Sequence, residues 1–181
     1  MYNKYDVDWL KSLDIQPNQF YFWGHTPKRP GVVDKSCLSQ WFYSPFKDND
    51  GVEYSTSEHY MMYMKAFLYN DSKSMEKIIS TPHPNEAKSL GRKVKGFEPT
   101  FWDSAKHAIV YRANYLKFNQ NPELQEYLVN TGESILVEAS PYDTIWGVGL
   151  SADDPKIKSV HTWNGENLLG FVLMEVRDTF Q

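Results

Sequence analysis

Ser55-Thr56-Ser57-Glu58-His59-Tyr60-Met61-Met62-Tyr63-Met64-Lys65-Ala66-Phe67-Leu68 is the stretch on which the reading of this chain turns. Ser55 followed three residues later by Glu58 has the form of a capping box, which predicts a helix beginning here. Within it Glu58 and Lys65 lie two turns apart on one face, roughly 10 Å along the axis. Met61 and Met62 stand between them. A helix ordinarily turns its apolar stripe inward and its charges outward, so a carboxylate and an amine flanking apolar side chains on one stripe is unusual. Either the pair reaches a pocket, or the stripe is narrow and both ends snorkel to water.

Upstream, residues 1–17 read as an amphipathic lead-in ending at Pro17. Phe20-Tyr21-Phe22-Trp23 reads as a short buried strand stopped by Gly24, and the segment from Lys28 to Asp34 as a loop. The stretch LSQWFYSPF (38–46), the turn Asp48-Asn49-Asp50-Gly51 and the strand Val52-Glu53-Tyr54 form a β-hairpin that feeds the helix. Downstream, Asp71 caps a helix running to about Ser80. Pro84 opens a short one through Leu90, and Thr100 with Asp103 starts the longest, to about Phe118. Its apolar side is Phe101, Trp102, Ala105, Ala108, Ile109 and Leu116. Asn121-Pro122 caps another helix that ends at Thr131-Gly132, where glycine takes the left-handed cap. Ser134 to Glu138 is a strand, Asp143 to Leu150 a glycine-punctuated segment, and Ser151 to Thr162 a polar loop. A last helix spans about Asn167 to Thr179, with Leu169, Val172, Leu173 and Val176 inward. The pattern predicts an α+β fold, a compact single domain over residues 18–181 that is mostly helical with a few short strands.

At 181 residues, with 23% charged and 41% apolar, the chain has the length and balance of one soluble domain. Six Trp, twelve Tyr and ten Phe make it rich in rings, which fill cores and also wall pockets for planar ligands or sugars. The formal charge of −4 argues against a dominant non-specific grip on nucleic acid, while leaving room for a local basic pocket. One cysteine, Cys37, excludes an internal disulfide. The histidines (His25, His59, His83, His107 and His161) lack ligand spacing, so no metal site is expected. The longest apolar run, Leu168 to Met174, is far short of a membrane span, and the start carries no secretory pattern. An intracellular, by default cytoplasmic, setting is expected.

Four clusters carry candidate chemistry. Lys65 in a pocket would lose its charge by desolvation and attack an aldehyde-level carbon, with Glu58 as acid or base; a helix-surface pair is the plainer alternative. In LVEASPYDTIWGVG (136–149), Glu138 ends an apolar strand and Asp143 precedes Trp146-Gly147. Asp143 is also the kind of aspartate that simply makes a turn, and Gly147 serves either close approach to a ligand or a tight bend. Arg92 with Lys88, Lys93 and Lys95 would hold phosphate or form a solvated basic face. The rings Phe22, Trp23, Trp41, Phe42, Trp102, Trp146 and Trp163 are expected to be at least half core, the rest free to stack on a base or ribose.

Taken in order, EHYMMYMKA, Gly91-Arg92, Trp102, Lys117-Phe118, Asn121-Pro122-Glu123-Leu124, Thr131-Gly132, LVEASPYDTIWGVG and Asn164-Gly165-Glu166-Asn167-Leu168-Leu169-Gly170 resemble the NADAR family of YbiA-like proteins, from about Phe20 onward. The resemblance implies an N-glycosidase without metal or redox cofactor that cleaves the bond between ribose C1 and an amine nitrogen. One branch of the family acts on phosphoribosylamino-pyrimidine intermediates of riboflavin biosynthesis; another removes ADP-ribose from guanine in nucleic acid. It implies that Glu58, Lys65 and Asp143 are catalytic, with Trp102, Glu138, Trp146, Gly147, Arg92, Trp23 and Asn167 binding substrate. The loop after Gly149 is longer and less glycine-rich than in the riboflavin-type members. The expected partner is an ADP-ribosylated guanine nucleotide or nucleic acid, or a small ribotide, met by a monomer with no membrane involved. A non-catalytic ADP-ribose reader is the competing class. The enzymatic reading expects Lys65 and the acids at 58, 138 and 143 to converge on one sheltered hollow.

Overall fold

The computed structural model describes residues 4–14 and 17–181; part of the lead-in, residues 1–3 and 15–16, lies outside the described residues. In chain order the elements are α1 (Val7–Lys11), β1 (Gln19–Phe22), β2 (Phe46–Lys47), β3 (Glu53–Tyr54), α2 (Ser57–Leu68), α3 (Ser72–Ser80), α4 (Pro84–Gly91), α5 (Pro99–Gln120), α6 (Pro122–Val129), β4 (Ile135–Glu138) and α7 (Leu168–Asp178). The fold is α+β, mostly helical with short strands, as the sequence predicts. The chain forms two compact units: a continuous one, Gln40–Pro122, and a split one built from the stretches on either side.

In the continuous unit β2 pairs antiparallel with β3, Phe46 opposite Tyr54. Asp48 makes the turn: its Oδ1 accepts from the N–H groups of Asp50 and Val52, both at 3.0 Å, and its Oδ2 accepts from the Tyr54 hydroxyl at 2.8 Å. That bond lets Tyr54 bury its whole ring, against Phe46, Tyr60 and Tyr63. The chain then enters α2, which packs on α3, α4 and α5. The cap of α2 is Thr56 rather than Ser55: Thr56 Oγ accepts from the His59 N–H at 3.3 Å and also meets the His59 ring at 2.8 Å, so the box is closed by His59 and Glu58 is left for other work. Asp71 caps α3 as expected. The long helix α5 is capped by Glu98, not Thr100, its carboxylate accepting from the N–H groups of Thr100 and Phe101. The apolar side of α5 is narrower than predicted, since Ile109 and Leu116 are buried but Phe101 and Ala108 face solvent.

The split unit is organised by β1 and β4, which run parallel with Phe22 opposite Glu138. Ile135, Leu136 and Val137 are buried, and α7 lies on them with every residue from Leu169 to Arg177 buried. Gly170 makes that approach possible, because a Cβ there would run into the Leu136 carbonyl and the Asn167 amide. Arg177 is 3% exposed and spends its guanidinium on the chain before β4, donating to Thr131 Oγ and the Ser134 carbonyl, each at 2.9 Å. The lead-in segment adds α1, whose Leu10 is fully buried, while Lys4 and Tyr5 bond Asp178. Gly132 takes the left-handed conformation that ends α6, as predicted, with φ +58. The stretch Ser151–Thr162 is more ordered than a polar loop. Two 3-10 turns, Pro155–Lys158 and Val160–Thr162, bury Ile157 and Val160.

The expectation that half of the seven singled-out rings are core is corrected. Only Phe22 is buried; Trp23 is exposed and the other five are half-buried. Among the described residues the buried rings besides Phe22 are Phe46, Tyr54, Tyr60, Phe118 and Phe171, and the Tyr54 hydroxyl is satisfied by Asp48.

Candidate active site

In the continuous unit three of the sequence-predicted residues, Glu58, Arg92 and Trp102, gather around the Lys65 amine. The Thr56 cap starts α2 so that Glu58 falls in its first turn and faces inward, at 2% exposure, with its backbone N–H donating to the Gln40 carbonyl at 3.0 Å. Met61 and Met62 follow on the same face, at 3% and 6% exposure. Gly91, the last residue of α4, gives Met62 its place, since a side chain there would meet the Met62 thioether. Arg92 comes directly after it. Lys65 closes the stripe, and its Nζ does not run out to water: it lies 4.0 Å from the centre of the Phe97 ring and 5.2 Å from that of Trp102 on α5. Glu58 is buried and Lys65 half-buried, with the amine against two rings.

The electrostatics follow from that seat. The Lys65 amine is held below the usual lysine range, chiefly because burial penalises its charge. The Arg92 guanidinium adds to this and the Glu58 carboxylate opposes it. Ring faces attract a cation, by about 0.5–1 kcal/mol at an exposed site. Burial acts in the opposite direction and is the leading influence on the amine. A half-buried amine with depressed proton affinity beside a buried carboxylate is a combination suited to attack on an electrophilic carbon. The neighbouring basic residues are mostly solvated, Arg92, Lys93 and Lys95 being exposed, while the Lys88 amine sits over Trp41 at 5.6 Å.

In the split unit a second group forms at the end of β4. Asn167 sits in the left-handed region with φ +53, is fully buried, and bridges to the strand with both ends of its amide. Its Oδ1 accepts from the Glu138 N–H at 2.9 Å and its Nδ2 donates to the Leu136 carbonyl at 2.9 Å. The sequence signal for this amide was its place in the NGENLLG run, which the strand-end contact now explains. Gly147 resolves as a tight bend, because a Cβ there would meet the carbonyls of Glu138 at 2.8 Å and Asp143 at 3.0 Å. Asp143 makes the turn that a bland reading expects, its Oδ1 accepting from the N–H groups of Ile145 at 3.0 Å and Trp146 at 2.8 Å. Glu138 and Trp146 are half-buried. Trp23, just past β1, is 52% exposed and pairs with the Tyr142 ring at 6.2 Å.

Two residues escaped the sequence reading. Phe97 stands in a loop between Gly96 and Glu98 with no periodicity to mark it, and Tyr142 carries no reading of its own within the 136–149 run. The only hint of Phe97 was an unexplained large ring just ahead of a helix cap.

Residues 21–181 match the NADAR domain family. The chain is 42% identical over 165 residues to the protein named N-glycosidase R617 of Acanthamoeba polyphaga mimivirus, covering 89% of this chain and 95% of that one. It is 35% identical over 141 residues to the chloroplastic riboflavin biosynthesis protein PYRR of Zea mays, covering 74% of this chain but only 21% of that longer protein. The fold is similar to the NMR structure of the E. coli protein YbiA, with a TM-score of 0.72 at 29% identity, over 92% of this chain and 86% of that one.

Proposed function

The chain belongs to the NADAR family and is an N-glycosidase, a hydrolase of N-glycosyl bonds, and from that premise we propose that it removes ADP-ribose from guanine bases. The observation that carries the reaction is the Lys65 amine, between the Phe97 and Trp102 rings and held below the usual lysine range. The choice of guanine ADP-ribose rests on the basic segment Lys88 to Lys95 and the long stretch Ser151 to Thr162, which suit a larger, more phosphorylated ligand. The substrate's ribose C1 carries the guanine amine, and ring opening makes that carbon an imine. Lys65 Nζ adds to C1, the guanine amine departs with a proton from Glu58, and a Schiff base joins Lys65 to the sugar. Water then adds to C1 with Glu58 taking its proton, Lys65 leaves, and free ADP-ribose recloses. Asp143 and Glu138 belong to the split unit and take no step in this route. Trp102 packs against ribose or base, and Arg92 takes a phosphate. Asn167 and Gly147 serve by fixing the end of β4 that carries Glu138.

Borohydride added during turnover of ADP-ribosylated guanosine tests the route. We expect a reduced adduct on Lys65, found by peptide mass spectrometry, and loss of both adduct and turnover, by roughly a thousandfold or more, in Lys65→Ala. Near-normal turnover in that variant leaves carboxylates alone to stabilise the cation and activate water, as in glycosidase pairs. The second reading is cleavage of a phosphoribosylamino-pyrimidine, favoured by the resemblance to a protein named for riboflavin biosynthesis. Offering both substrates in parallel and measuring released base separates the two. Tight ADP-ribose binding with no base released from either would favour a reader.

A further inference from the structure

The ring of Phe97 is 42% exposed, so its burial contributes little to the core, yet it is not left to move freely. It follows Gly96, whose φ of +71 turns the chain toward α5. Tyr69, the residue that ends α2, meets it edge-on at 5.6 Å and 63°. Tyr69 is itself fixed by its hydroxyl, which donates to the Glu98 carbonyl at 2.6 Å, and by Phe101 at 5.9 Å and 90°. The cap of α5, the end of α2 and the Phe97 ring are thus one connected set, and what the set presents is an aromatic face 4.0 Å from Lys65 Nζ.

We infer that Phe97 is a positioning residue: its ring is the outer wall of the Lys65 seat, holding Nζ against Trp102 and keeping water from it. The inference rests on the reading of Lys65 as the attacking amine. The charged groups bearing on Nζ are Glu58 on its own helix and Arg92 at the end of α4; α5 and the loop before it face it with the Trp102 and Phe97 rings. A ring can act on an ammonium in two opposed ways. Its face attracts the charge and favours protonation, while its bulk removes water and disfavours it. The inference assigns shielding to Phe97, from its ring 4.0 Å from Nζ, in the same direction as the burial that lowers the amine's proton affinity.

The two effects separate on substitution. Phe97→Ala removes both the bulk and the ring face, Phe97→Leu keeps most of the bulk without the face, and Phe97→Tyr keeps both. The readout is the pH dependence of Lys65 arylation by trinitrobenzenesulfonate, in which the amine displaces sulfite from the ring, followed by peptide mass spectrometry, which needs no substrate. The titration of Lys65 should move to higher pH in Phe97→Ala and stay close to the parent in Phe97→Leu and Phe97→Tyr. Turnover at neutral pH in Phe97→Ala should fall by about tenfold for each pH unit of that movement, and recover as the pH is raised. An unmoved titration in Phe97→Ala overturns the inference, as does a movement to lower pH, which would make the ring an attractor of charge rather than a shield. Failure of borohydride trapping in the parent protein would instead strike the attacking-amine reading while leaving the labelling result standing.

Discussion

Glu58 is the residue whose burial asks most of the structure, because a carboxylate at 2% exposure has given up nearly all of its water. Beside Lys65 it partly offsets the burial and the Arg92 charge that lower the amine's proton affinity. Glu58→Gln keeps the shape and removes the proton donor, so turnover should fall by about 10²–10⁴ with the fold retained. A loss that is matched by unfolding, read by circular dichroism, would make Glu58 structural instead. Its neighbour His59 is buried with Nε2 at 3.0 Å from the Thr81 carbonyl. A carbonyl only accepts, so Nε2 carries the proton and Nδ1 takes the Thr56 hydroxyl at 2.8 Å. Burial, helped by His83 and opposed by the Thr81 bond, lowers the proton affinity of this ring. The unfolded ring therefore protonates first as pH falls. The stability from keeping it neutral is present above the usual histidine range and lost as pH drops through the depressed folded value. The melting temperature should decline between about pH 7.5 and about pH 5, and the decline should be shallower in His59→Gln. Equal slopes would remove His59 from the acid response.

At the scale of elements, glycines decide how closely helices approach their neighbours. Gly170 lets α7 lie on β4, and the obstacle to any side chain there is a backbone carbonyl, which cannot step aside. Gly91 lets α4 lie on α2, and the obstacle is the flexible Met62 chain. Gly170→Ala should cost at least about 3 kcal/mol in urea unfolding and Gly91→Ala about 1 kcal/mol; a reversed order would contradict this packing. The helices themselves were legible from period and breakers. Pro84, Asp71, Gly132 and the apolar run at 168–176 each mark what forms there. Caps were less so, because two overlapping boxes compete at residues 55–59 and only packing chooses Thr56. The indoles misled, since a large ring in sequence does not reveal whether its polar tip finds a partner. Phe97 was illegible because its meaning lies in contact with Lys65 and Tyr69, which are far from it in the chain. Glu58, Lys65, Arg92 and Trp102 were legible as separate signals, and the fold supplies their neighbourhood.

For the molecule as a whole, the net charge of −4 sets how it meets a charged substrate. With guanine ADP-ribose as the proposed substrate, a net negative charge that disfavours a phosphate backbone at distance leaves recognition to the modified nucleotide. kcat/KM for ADP-ribosylated guanosine and for the same lesion in an oligonucleotide should agree within about tenfold near physiological salt and respond weakly to added salt. A steep fall with salt for the oligonucleotide alone would indicate a dedicated strand-binding face. The arrangement of the chain into one continuous and one split unit has a further outcome during synthesis. Strand β1 leaves the ribosome long before β4, its hydrogen-bonding partner in the parallel pair, has been translated. Residues 40–122 can acquire structure on their own in the interval, while the earlier strand waits with an unmatched edge. Vectorial production thus leaves β1 without its ladder until residues 135–138 have been made.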